Sequence, residues 1–109
     1  MNGCPDGARH GLSDDTLKRI QQALAQYPQV EQAVLYGSRA KGTFKPGSDI
    51  DLTLRGPMLN FSLLGDIEQS LDDLLLPYEI DLSLYEHLNH AELTAHIDRV
   101  GQVIYKRHP

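Results

Sequence analysis

The run Asp49-Ile50-Asp51-Leu52-Thr53-Leu54 alternates polar and aliphatic side chains at a period of two, and Glu79-Ile80-Asp81-Leu82-Ser83-Leu84 repeats the pattern later in the chain. That period belongs to a strand with one buried face. It restricts the fold more than composition does, because each such strand has to lay its Ile and Leu against a core and leave its acids outside it. Asp49 and Asp51 then project the same way, roughly 7 Å apart along the strand. If the two strands are neighbours, Asp81 converges on them. Carboxylates gathered on one face are costly without a counter-charge. The plain alternative is a half-exposed sheet whose acids face water.

The remaining elements follow from periodicity and punctuation. Residues 1–12 hold little apolar patterning and read as a mobile tail, leaving residues 13–109 as one domain. Ser13 with Asp14 and Asp15 looks like a helix start, and Leu17, Ile20, Leu24 and Tyr27 continue it until Pro28 stops it. Residues 30–36 read as a strand; Ala33-Val34-Leu35-Tyr36 is nearly continuous in apolar character, as expected of a central strand covered on both faces. Residues 39–48 hold Gly42, Pro46 and Gly47 and read as a turn or short helical turn followed by a loop. A helix capped by Asn60 or Ser62 runs to about Leu75, ahead of Pro77. Asn89 is the expected cap of a last helix, Gly101 fits the position just past its end, and residues 102–106 form a short final strand. The order α-β-β-α-β-α-β predicts an α/β (α+β) domain: a small mixed sheet of about four strands with helices packed on it.

Charge and cysteine usage narrow the function. The 109 residues carry 10 basic and 15 acidic side chains, a net charge of −5. An extended nucleic-acid groove needs a basic stripe, which this balance disfavours; a mononucleotide needs only local positive charge. Cys4 is the single cysteine, so no internal disulfide forms and a reduced, cytoplasmic setting is expected. The first residues lack the pattern of an export signal, and no apolar run is long enough to span a bilayer.

Gly37-Ser38 lies upstream of the first two aspartates. Glycine lets backbone N–H groups approach an anion closely, Ser38 adds a hydroxyl, and Arg39, Lys41 and Lys45 supply local cations. The segment from Gly42 to Ser48 has two glycines but no following lysine, so it is not a P-loop. Taken alone, Gly37 is a strand-ending turn. Combined with three carboxylates, it makes a site for a divalent cation and a phosphate. Hard oxygen ligands suit Mg²⁺ or Mn²⁺ rather than zinc, and two such ions can hold the attacking and leaving oxygens of an in-line phosphoryl displacement.

Gly37-Ser38-Arg39-Ala40-Lys41-Gly42, followed by Ser48-Asp49-Ile50-Asp51-Leu52 and by the Asp81 strand, resembles the signature of the DNA polymerase β-like nucleotidyltransferase superfamily. The short length is similar to its minimal nucleotidyltransferases, antitoxins often encoded beside an all-helical HEPN toxin. The resemblance runs from about Ser13 to Lys106. It implies the polymerase β-like fold, with Gly37 and Ser38 on the triphosphate and Arg39, Lys41 and Ser48 as further nucleotide-binding candidates. It implies Asp49 and Asp51 as ligands of both metal ions. Asp81 would ligate the catalytic ion and help deprotonate the acceptor. The implied reaction moves a nucleoside monophosphate, AMP from ATP in the antitoxin branch, onto a hydroxyl of a HEPN partner, in a homo- or hetero-oligomer. With nothing after Lys106 but three residues, the acceptor is expected to sit on another protein or to be very small. Two other functions compete: a non-catalytic antitoxin acting by occlusion, and a transferase acting on an antibiotic or sugar.

His87, His90 and His96 have no zinc-ligand spacing and read as surface or capping residues. The Leu-rich helix after Asn60 reads as core packing.

Overall fold

A computed structural model describes residues 11–42 and 49–107. The described residues form α1 (Asp14–Ala25), β1 (Gln32–Tyr36), α2 (Ser38–Lys41), β2 (Ile50–Arg55), α3 (Phe61–Asp72), β3 (Ile80–Leu84), a single 3-10 turn (Tyr85–His87), α4 (Ala91–Val100) and β4 (Gln102–Lys106). The strands lie side by side in the order β3-β2-β1-β4. β1 runs antiparallel to both its neighbours, whereas β2 and β3 are parallel. The parallel pair needs a crossover, which α3 provides.

The period-two pattern divides the sheet as the sequence requires. One face presents Ala33, Leu35, Leu52, Leu54, Leu82 and Leu84 to α1 and α3, whose Leu17, Ile20, Leu24, Ile67 and Leu71 complete the main core. Burying each of these large side chains contributes about 1.5–3 kcal/mol before the entropy of ordering it. The opposite face is covered by α4 and the 3-10 turn before it, through a small cluster of Val34, Tyr36 and Ile97 with Tyr85, Leu88 and Leu93 packed against it. Residues 33–36 are buried on both sides, as their unbroken apolar run predicts.

The helix ends show which local signals operate. Ser13 caps α1 by accepting from the Thr16 amide, and Asn60 caps α3 by accepting from Leu63. The cap of α4 is His90, whose Nδ1 accepts from the Leu93 amide, and not Asn89 as expected. Gly101 closes α4 with extended backbone, φ −61°, so a left-handed turn is not its reason for being glycine. A Cβ there would run into the Ile97 carbonyl and Val34. Leu12, placed by its composition in the N-terminal tail, is fully buried in the main core. No described helix is long and apolar enough to cross a membrane.

Candidate active site

β2 and β3 bring the acids together because their parallel register sets Asp51 directly beside Asp81. In the antiparallel register on the other side, Asp51 stands opposite Tyr36, the last residue of β1. Asp49 sits just before β2, exposed, two residues from Asp51 and so turned to the same face. The bond from the Ile50 amide to the Glu79 carbonyl, 2.8 Å, fixes this end of the strand pair. Asp51 is half-buried and Asp81 is exposed.

The electrostatics record the convergence. Burial pushes the Asp51 carboxyl up from 3.8; Asp81 and Asp49 push it further, and His96 pulls it partly back. The Tyr36 phenol is likewise raised, first by burial and then by Asp51 and Asp81, with a contact to Ser83 offsetting part of the shift. The acids lie within Coulomb range of one another, but among the described residues no three His, Cys, Asp or Glu side chains close into a ready-made metal cage. An all-carboxylate donor set fits a hard divalent ion such as Mg²⁺ or Mn²⁺, and would not suit a softer metal.

The glycine turn lies against these acids. Gly37 links β1 to α2 with φ +78° and ψ −153°, a conformation open to glycine and strained for other residues. A Cβ at this position would collide with Asp51 Oδ2, so the backbone of Gly37 touches the carboxylate through the missing side chain. Ser38 opens α2 half-buried beside it, and Gly42, left-handed at φ +82°, ends the helix. Lys41 is exposed on the last turn. Arg39, a candidate for nucleotide contact, is only 2% exposed and lies with its guanidinium 4.7 Å from the centre of the Tyr78 ring. That placement tethers α2 to the segment entering β3. Ser48, the remaining candidate, and Lys45 fall outside the described residues.

Beside Asp49 an open cleft of 640 Å³ runs between α3 and the edge of β3, and Glu68, Asp72 and Glu79 contribute to its walls. Asp49 itself lines this cleft, so its wall carries four acids and presents a negative surface.

Two residues join the site that sequence reasoning did not assign to it. By sequence Tyr36 reads only as a strand residue, and His96 reads with His87 and His90 as a surface or capping residue. His90 is a cap, but the His96 Nε2 accepts a hydrogen bond of 3.2 Å from the Gly37 amide. Its ring stands edge-on to Tyr36, 6.3 Å between centres at 80°. One signal was available: His96 falls in the apolar stripe of α4 with Leu93, Ile97 and Val100, so it faces the sheet.

Comparison with known proteins is consistent with this geometry. A family model described as polymerase beta, nucleotidyltransferase matches residues 18–109. Among solved structures, a toxin–antitoxin with AMP-PNP aligns with a TM-score of 0.68 at 22% identity, covering 84% of this chain and 73% of that one. A MntA–HepT toxin–antitoxin aligns with a TM-score of 0.66 at 18% identity, covering 87% and 74%. A complex of tri-AMPylated Shewanella oneidensis HEPN toxin with MNT antitoxin aligns at 0.63 and 18%, covering 84% and 71%. At these identities the likeness is one of fold. No curated protein sequence matches the chain significantly.

Proposed function

We propose, because this chain belongs to the polymerase beta nucleotidyltransferase family, that it transfers a nucleoside monophosphate, AMP from ATP, to a hydroxyl on a partner protein. The partner is a helical HEPN-type toxin, and this chain is its antitoxin. The observation that carries the reading is the parallel register that sets Asp51 beside Asp81, with Gly37 packed on the Asp51 carboxylate. A binding module has no need of clustered acids that repel one another; a transferase does. The solved toxin–antitoxin structures of the same fold, one with AMP-PNP and one with an AMPylated toxin, support the choice of nucleotide and partner.

In this reading Asp49, Asp51 and Asp81 would hold the two Mg²⁺ or Mn²⁺ ions, Asp81 beside the catalytic one. Such ions, when bound, supply the positive charge that a triphosphate and its departing pyrophosphate require. Gly37 and Ser38 border the triphosphate, with Lys41 and Ser48 as further contacts. Arg39 acts from beneath by fixing α2 on Tyr78. The acceptor oxygen forms a bond to the α-phosphorus, the bond from that phosphorus to the pyrophosphate oxygen breaks, and Asp81 takes the hydroxyl proton. The single cysteine suits a reducing, cytoplasmic setting.

The test is incubation with α-labelled ATP, Mg²⁺ and the product of the neighbouring gene. Label should pass to that protein with the wild type and be lost with Asp49→Asn and Asp51→Asn. Neutralisation of the toxin by those variants, with no transfer by the wild type, would replace chemistry with occlusion.

A further inference from the structure

Glycine at position 37 solves one problem and creates another. Only glycine passes Asp51 Oδ2 at φ +78° without a clash. Yet glycine is also the residue least bound to any one conformation, so something outside the turn has to hold it there. Within the chain's own turn the Gly37 carbonyl accepts from the Lys41 amide and Arg39 rests on Tyr78; the hydrogen bond that reaches the Gly37 amide from another element is its donation to His96 Nε2 on α4. His96 is itself well fixed. The next residue, Ile97, is buried against Val34 and Tyr36, and the imidazole edge meets the Tyr36 ring. Acceptance at Nε2 requires a neutral ring with its proton on Nδ1.

We propose that His96 is a positioning residue for the Gly37-Ser38 turn, holding the Gly37 amide so that the backbone stays seated on Asp51 and α2 opens toward the nucleotide. The Gly37 amide is therefore given to His96 and not to phosphate. The hydrogen bond stands by itself; its effect on nucleotide rests on the transferase reading above. His87 and His90 take no part, since one lies against Phe61 and the other caps α4.

The experiment measures Gly37 amide hydrogen exchange by NMR, without nucleotide, in the wild type, His96→Ala, His96→Leu and His96→Gln. Loss of one hydrogen bond should speed Gly37 exchange by about tenfold in the Ala and Leu variants. The Gln variant, whose amide oxygen reaches where Nε2 does, should return it to within about threefold. Affinity for AMP-PNP with Mg²⁺ should follow the same order, falling about tenfold and recovering with Gln, while His87→Ala changes neither. Weaker nucleotide binding with Gly37 exchange unchanged would mean that His96 touches the nucleotide directly, and would overturn the proposal. Unchanged exchange and affinity would do the same. If the wild type binds no nucleotide, the transferase reading fails, and the exchange measurement alone decides whether His96 holds the turn. Leu fills the space of the imidazole, so His96→Leu serves if His96→Ala does not fold.

Discussion

Burial, followed by the charges of Asp81 and Asp49, raises the Asp51 carboxyl above its ordinary 3.8, against the smaller pull of His96. A raised native value means the folded chain holds its proton at pH values where the unfolded chain has released it. The stability this provides is complete below about pH 3.8 and is lost as pH climbs through the native value. At neutral pH ionised Asp51 therefore weighs against the fold. Asp51→Asn should melt at a higher temperature than the wild type at pH 7, with the gap narrowing as pH falls through the raised native value and closed by about pH 3.8, while label transfer disappears. Gly37→Ala should act the other way. The left-handed backbone and the collision with Asp51 Oδ2 together should cost on the order of 1–3 kcal/mol in urea unfolding and abolish transfer. At this scale the sequence displayed the acids and the glycine clearly, because alternation and the Gly-Ser pair are local signals. It placed His96 on the sheet-facing stripe of α4 without showing its partner, and it did not display the burial of Arg39. Both depend on what lies across a gap in the chain, Gly37 for one and Tyr78 for the other, and no spacing rule joins residues 37 and 96.

Among the elements, α3 ends less well than it begins. Asn60 caps its start, but past its end Leu75 takes φ +55° while 86% exposed, so it pays the left-handed penalty and gains little burial in return. Leu75→Gly should raise unfolding stability by up to about 1 kcal/mol in urea melts, leaving activity unchanged. α4 is held to its face of the sheet chiefly by Ile97. Strand and helix types were legible throughout, since their periods differ and proline or glycine separates them. The short α2 was legible only as a turn. The cap of α4 was missed because a histidine ring can do what an asparagine amide does, and nothing in the sequence ranks His90 above Asn89.

For the whole molecule, net charge and acid placement point to stabilisation by cation and nucleotide together. Mg²⁺ with ATP well above its dissociation constant should raise the melting temperature by more than about 5 °C, EDTA should remove the gain, and Asp49→Asn should show little of it. Which strands are neighbours was not legible. The sequence set out the carboxylates strand by strand, but the order β3-β2-β1-β4 is decided by non-local pairing and by the α3 crossover.

The parallel pairing of β2 with β3 has one more consequence. A slip of β3 by a single residue would turn Asp81 inward among the aliphatic side chains and expel Ile80, Leu82 and Leu84 into water. A misaligned strand thus loses its apolar burial at the same step at which it loses the pairing of its acids. The apolar face that drives folding thereby also selects the alignment in which Asp51 and Asp81 stand side by side.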